Sequence, residues 1–146
     1  MSDVATPSPQ GRSGRTAAIL RSAEIAPRAR AGGARTLPMV SARVGARDFL
    51  NGITMFPPGT AIAEHFHNCD ESVLVLRGHA VAHVAGEQHP VVAGDVSFIP
   101  TGIHHYFENV SDTEELHIFW TYASLDADRT IVATGVTTRI DQELDL

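Results

Sequence analysis

From Leu37 onward the chain is a succession of short apolar stretches, each cut off by turn-forming residues, and this punctuation excludes most folds. Stretches at 37–44, 48–56, 60–67, 71–77, 79–85, 90–92, 95–99, 103–108 and 115–122 have the alternating or β-branched character of strands. Between them stand Pro57-Pro58-Gly59, Asn68-Cys69-Asp70, Gly78, Gly86, Gly94, Pro100-Thr101-Gly102 and Ser111-Asp112. These residues supply positive φ, pre-set φ, or bond their own backbone, so each ends a strand for a stated reason. No convincing amphipathic helix separates the strands, which argues against βαβ units. The pattern predicts an all-β single domain, a barrel or a sandwich. The last segment, 123–146, has two further strand-like stretches at 130–134 and 136–140. It predicts a C-terminal strand, at a sheet edge or exchanged with another subunit, followed by a polar, frayed tail.

Charge divides the chain in two. Residues 1–47 hold eight of the eleven arginines and only two acids, Asp3 and Glu24, whereas residues 48–146 hold three arginines and fifteen acids. The arginines of the leader are scattered among Ala, Gly and Pro with no helical stripe and no aromatic to stack on a base. The expectation is therefore a flexible basic leader over 1–36, with a possible short strand or helix over 16–25, and no nucleic-acid partner. Barrel-like patterning then covers 37–122. There is no lysine, which excludes Schiff-base chemistry and lysine general bases. The one cysteine, Cys69, excludes an intrachain disulfide and a cysteine-built metal site. No apolar run approaches the roughly 18 residues of a membrane span, so the expectation is a protein with no membrane partner and a cytoplasmic location.

The eight histidines separate by geometry. His65 and His67 are two apart in a strand and project from one face with Cα atoms about 7 Å apart, a spacing from which two imidazoles can share one ion. Glu71 opens the returning strand after the turn at Asn68 to Asp70 and can reach the same point. Nitrogen and oxygen ligands of this kind suit a divalent Fe, Mn, Ni, Zn or Cu ion. His79 and His83 are about 13 Å apart along a strand, too far for one ion, and both oppose the small apolar face of Ala80, Ala82 and Val84. They are expected to face solvent. His89, next to Pro90 in a turn, is read as structural. His104 and His105 point to opposite sides, and periodicity does not choose between them. His117 could point inward near the site.

The stretch Gly59-(5)-His65-x-His67-(3)-Glu71-(6)-Gly78 resembles the first motif of the cupin superfamily with every fixed position present. Gly94-(5)-Pro100-x-Gly102-(2)-His105-(3)-Asn109 resembles the second, again complete. The resemblance implies a cupin double-stranded β-helix, a jelly-roll barrel. It also implies His105, not His104, as the third histidine ligand, giving a metal set of His65, His67, Glu71 and His105 with two positions open on an octahedral ion.

Three kinds of chemistry fit such a centre. One is dioxygenase-like oxidation of a small organic substrate in a dry pocket, for which Phe49, Met55, Phe107, Phe119 and Trp120 are candidate lining. A second is non-redox isomerase, cyclase or lyase chemistry, as in small cupins that cyclise polyketides. It needs a proton carrier, for which His117, Tyr106 and Tyr122 are the candidates. The third is non-catalytic binding of a small ligand. The sequence reading favours the first, with a small-molecule substrate. Since cupins often pair through a sheet edge or an exchanged strand, a homodimer is also expected.

Overall fold

The structure is a computed structural model that describes residues 14–146. The N-terminal part of the expected flexible leader, residues 1–13, lies outside the described residues.

Inward-facing apolar side chains recur at every second residue, and the strands follow that period. On β10 (Leu116–Tyr122) the buried set is Leu116, Ile118, Trp120 and Tyr122. On β5 (Glu71–Arg77) it is Glu71, Val73 and Val75. These two strands pair antiparallel, with Trp120 opposite Val73 and Tyr122 opposite Glu71. Full burial of one such apolar side chain contributes about 1.5–3 kcal/mol, so a one-residue frame shift of β10 would turn Leu116, Ile118, Trp120 and Tyr122 out of the core together.

The remaining strands are β1 (Arg28–Ala29), β2 (Arg35–Pro38), β3 (Leu50–Phe56), β4 (His65–Phe66), β6 (His79–Val84), β7 (Glu87–Val92), β8 (Val96–Ile99), β9 (His105–Glu108), β11 (Asp128–Ile131) and β12 (Thr137–Arg139). They form two six-stranded antiparallel sheets, ordered β1-β2-β3-β10-β5-β8 and β12-β11-β4-β9-β6-β7. The core lies between the two sheets, which is the expected jelly-roll arrangement. No helix among the described residues is long and apolar enough to cross a membrane.

Several expected elements take a different form. The stretch 16–25 contains a 3-10 turn at Ser22–Glu24, and the leader's strand is instead β1. Of the 37–44 stretch only Leu37 and Pro38 are strand, as the end of β2 (Arg35–Pro38), because the chain then turns through a 3-10 segment at Ala42–Val44 capped by Ser41. Of 60–67 only His65–Phe66 is a regular strand, preceded by a lone bridge between Ala61 and Glu108. In the C-terminal segment β12 pairs with β11 at the edge of its sheet. The end of the segment is not frayed. Helix α1 (Ile140–Glu143) inserts Ile140, and Leu144 follows it, each 1% exposed.

Two motif residues hold the framework rather than the site. Gly78 has φ +82°, and a Cβ there would stand 2.6 Å from the carbonyl oxygen of Glu115, so no other residue fits that turn. Asn109, 1% exposed, donates from Nδ2 to the carbonyls of Phe56, Pro57 and Glu114 at 3.0, 3.1 and 2.9 Å. Its Oδ1 accepts from Ser111 N.

Candidate metal centre

The sheet registry brings distant residues to one point. His65 on β4 lies directly opposite His105 on β9, so both rings project from the same face. His67, two residues past His65, shares that face. Glu71 arrives from the facing sheet as the first residue of β5. A hydrogen bond from Gly102 N to the His67 carbonyl, 3.0 Å, ties the loop before β9 to the loop after β4. Thr101 N and Thr101 Oγ1 donate to Asp70 Oδ1 in the same junction. The spacing between the two halves of the site is thus held by backbone and turn contacts, not by the site residues alone.

Each imidazole is oriented by its Nδ1. His65 donates to the carbonyl of Ala63 at 2.7 Å, His67 to that of Asp128 at 2.6 Å, and His105 to that of Ile103 at 2.8 Å. A neutral imidazole that donates from Nδ1 presents an unprotonated Nε2. All three rings are buried, and their ligand atoms lie within 4.8 Å of one another. Glu71 faces them, with Oε1 2.9 Å from His105 Nε2 and Oε2 3.6 Å from His67 Nε2. His67 Nε2 is buried with no hydrogen-bond partner. Burial first, then the neighbouring positive groups, holds His65 well below the usual histidine range, and burial likewise lowers His67. Both are therefore neutral at physiological pH, the form that ligates metals. Three inward Nε2 atoms, that of His67 orphaned, beside a buried carboxylate are a donor set that a divalent cation would complete. The three histidines could hold a metal ion.

A cavity of about 30 Å³ adjoins this cluster, enough for roughly two water molecules. His65, Glu71, His105, Tyr122 and Arg129 line its polar side, and Phe107, Ile118 and Trp120 its apolar side. Trp120 is fixed by a hydrogen bond from Nε1 to Thr54 Oγ1, 2.9 Å, and stacks on Tyr122.

Of the three proton-carrier candidates, only Tyr122 is in the site. It is 2% exposed, its ring centroid lies 4.4 Å from that of His67, and burial pushes its hydroxyl pKa upward, so it remains a neutral donor. His117 has the opposite parity on β10 and faces out of the core, next to Glu115. Tyr106 is on the outer face of β9, stacked on His83 at 4.1 Å. His83 is half-buried there rather than freely solvent-facing, and its Nε2 meets Glu108 at 3.0 Å. His104 stacks on Phe66, away from the three rings. Among the apolar candidates, Phe107 and Trp120 line the cavity, whereas Phe49 is 42% exposed and Met55 and Phe119 face outward on their strands.

Arg129 is the residue that the sequence did not announce. It sits on β11 next to Thr130, whose partner is Phe66, so its side chain enters on the same side as that of His67. A lone arginine at the start of a strand-like stretch ordinarily reads as solvent-facing, and no local pattern marks it otherwise.

Comparison with known proteins agrees with this architecture. The cupin domain family matches residues 52–122. Polyketide synthase CurC of Streptomyces cyaneus is 37% identical over 98 residues, which are 66% of this chain and 63% of that protein. An oxalate-binding protein of Thermotoga maritima is 37% identical over 59 residues, 40% of this chain and 49% of that one. The chain thus spans somewhat less than two thirds of the first and about half of the second. Among solved structures, a Thermotoga maritima protein described as a predicted oxalate decarboxylase superposes with a TM-score of 0.66 at 28% identity, over 74% of this chain and all of that one. The polyketide cyclase RemF of Streptomyces resistomycificus superposes with a TM-score of 0.70 at 15% identity, over 86% of each chain.

Proposed function

The chain belongs to the cupin superfamily, and from that premise we propose that it is a metal-dependent enzyme that promotes enolisation and cyclisation of a small oxygen-rich substrate without net redox change. The ligand set in this reading is His65, His67, Glu71 and His105. The observation that carries it is the convergence of three Nδ1-anchored imidazoles on Glu71 with His67 Nε2 orphaned. A divalent ion bound there supplies Lewis-acid polarisation of a ligand oxygen, and a redox-active ion supplies electron transfer as well.

The chain's own residues perform the remaining tasks. Phe107, Ile118 and Trp120 exclude water from one side of the cavity. Tyr122, neutral through burial, donates from its hydroxyl to an oxygen that gains negative charge. The carbonyls of Ala63, Asp128 and Ile103 hold the rings in place against the pull of substrate. The 37% identity to a protein named for polyketide synthesis supports this reading above the oxidative one.

Dioxygenase-like oxidation, favoured by the sequence reading, is the second proposal. The small, partly apolar cavity supports it, since about 30 Å³ suits a diatomic molecule. The decisive measurement is metal analysis of protein purified without added metal, combined with O₂ uptake in the presence of an enolisable substrate. One divalent ion per chain and no O₂ uptake is the expected result. Iron with stoichiometric O₂ consumption would replace the first reading by the second, and a metal-free protein that binds no divalent ion would defeat both. A homodimer is carried forward as a proposal too, with two copies per particle expected by light scattering.

A further inference from the structure

An antiparallel sheet that meets the core on one side ordinarily turns polar residues outward on the other. The sheet that contains β5 and β10 departs from this on its outer side. Its register sets Leu37 opposite Ile53, Ile53 opposite Phe119, Phe119 opposite Leu74 and Leu74 opposite Val96. One apolar rung thus crosses β2, β3, β10, β5 and β8 on the side away from the core. Exposure rises along it. Leu37 is 7% exposed, Ile53, Phe119 and Leu74 are half-buried, and Val96 on the edge strand β8 is 64% exposed. Phe98, two residues from Val96, is 67% exposed, and Leu76, two residues from Leu74, is 44% exposed, so both share this face. Charge stands at the rim: Arg35 pairs with Glu115 at 2.8 Å, at the end of the sheet where Met55 and His117 lie opposite each other.

The extent of the face decides what can cover it. Strands about 4.8 Å apart and about six residues long make a five-stranded face of roughly 19 by 20 Å, or about 400 Å² in plan. Standing side chains raise the accessible area above that, to the order of 500 Å² per partner that a specific interface needs. Monomers rarely leave so large an apolar patch in water, and an open edge strand such as β8 adds a hazard of uncontrolled pairing. The chain's own N-terminus does not supply the cover, since residues 1–13 hold only Met1 and Val4 as large apolar side chains. An uncharged apolar face with its charges at the rim is complementary to itself, and a second copy is present whenever the first is.

We propose that two copies of the chain pack sheet on sheet through this outer face, around Leu74, Leu76, Val96, Phe98 and Phe119. This rests on the homodimer proposed above and names its surface, which is a face and neither a sheet edge nor an exchanged strand. Met55 and Phe119, candidates for cavity lining in the sequence, then serve the contact between copies. The second copy lies against the backs of β5 and β10, the strands that carry Glu71, Trp120 and Tyr122 inward.

The test is the mass of the particle, by light scattering and sedimentation at micromolar concentration. Wild-type protein should hold two copies. Phe98→Glu, and separately Leu76→Glu on the neighbouring strand, should each raise the dimer dissociation constant by about 100-fold or more, because each buries a carboxylate in an apolar contact. Both positions are exposed in the single chain, so the fluorescence of Trp120, on the inner side of the sheet, should stay as in wild type; if one variant fails to fold, the other carries the test. Val136→Glu, at an exposed apolar position next to β12, should leave the dimer intact. Two copies retained in both face variants, or dissociation by Val136→Glu alone, would overturn the inference and leave the homodimer standing. Dissociation by Phe98→Glu but not by a folded Leu76→Glu would also overturn it, assigning the contact to the open edge of β8. A single copy in wild type would defeat the homodimer itself, and this surface with it.

Discussion

His67 donates through Nδ1 to the main-chain carbonyl of Asp128 at 2.6 Å, so a β11 backbone group fixes the ring of the residue that follows β4. That bond leaves the lone pair of Nε2 directed toward Glu71. His67→Ala should therefore abolish metal retention, with a loss exceeding the roughly 10- to 100-fold typical of removing only a ligand-orienting partner. His83→Ala should retain metal, since His83 packs on Tyr106 outside the core. Metal analysis after dialysis reads both. Equal losses would contradict the division of the histidines by strand face.

The wall of the cavity depends on a glycine. A Cβ at Gly52 would stand 2.5 Å from Trp120 Cζ2 and 2.8 Å from the carbonyl oxygen of Leu37, so it has a neighbour on each side and nowhere to go. Gly52→Ala should destabilise the fold by about 1–3 kcal/mol through overpacking. It should also displace the indole from Thr54. Trp120 is the only tryptophan in the chain, so a shift in fluorescence emission reports that movement directly. A thermal midpoint and emission maximum equal to wild type would show that the indole does not fill this space.

Much of the barrel and the histidine cluster could be read from residues alone, because both rest on local spacing. Alternation within a strand places His65 with His67, and turn residues mark where strands end. The parity of β10 was also available: Leu116, Ile118, Trp120 and Tyr122 share one phase, which excludes His117 from the core. What could not be read depends on partners far apart in sequence. Arg129 is buried because Tyr122, Glu143 and, through Glu143, Arg30 meet it in space. Arg30 belongs to the basic leader, whose composition suggested mobility and gave no hint of a buried pair. The tail looked polar, yet Ile140 and Leu144 become core once α1 turns inward.

Asn109 offers a test of the framework apart from the site. Its amide reaches three carbonyls, and its truncation removes this donor from those of Phe56 and Glu114, while that of Pro57 keeps the hydroxyl of Thr60 at 2.8 Å. Each unsatisfied buried group costs about 1–3 kcal/mol. Asn109→Ala should thus lower stability by about 2–4 kcal/mol, measured by urea unfolding. The folded fraction should still bind metal, because Asn109 touches none of the three histidines. Unchanged stability would mean that water replaces the amide at no loss.

Acidification should weaken the metal-free protein, and the sign follows from the buried rings. Burial lowers His65 and His67 below the ordinary value of 6.5 in the folded state. In the unfolded chain both regain that value, so between 6.5 and the depressed folded values the unfolded state binds more protons. Stability then falls as pH drops below about 6.5, and it is unaffected by this pair at higher pH. The melting temperature of chelator-treated protein should accordingly be level from pH 8 to 7 and decline toward pH 5.5. A His65→Asn, His67→Asn double variant lacks both titrating groups, so its decline over the same interval should be shallower. Equal declines in the two proteins would assign the acid sensitivity to other groups.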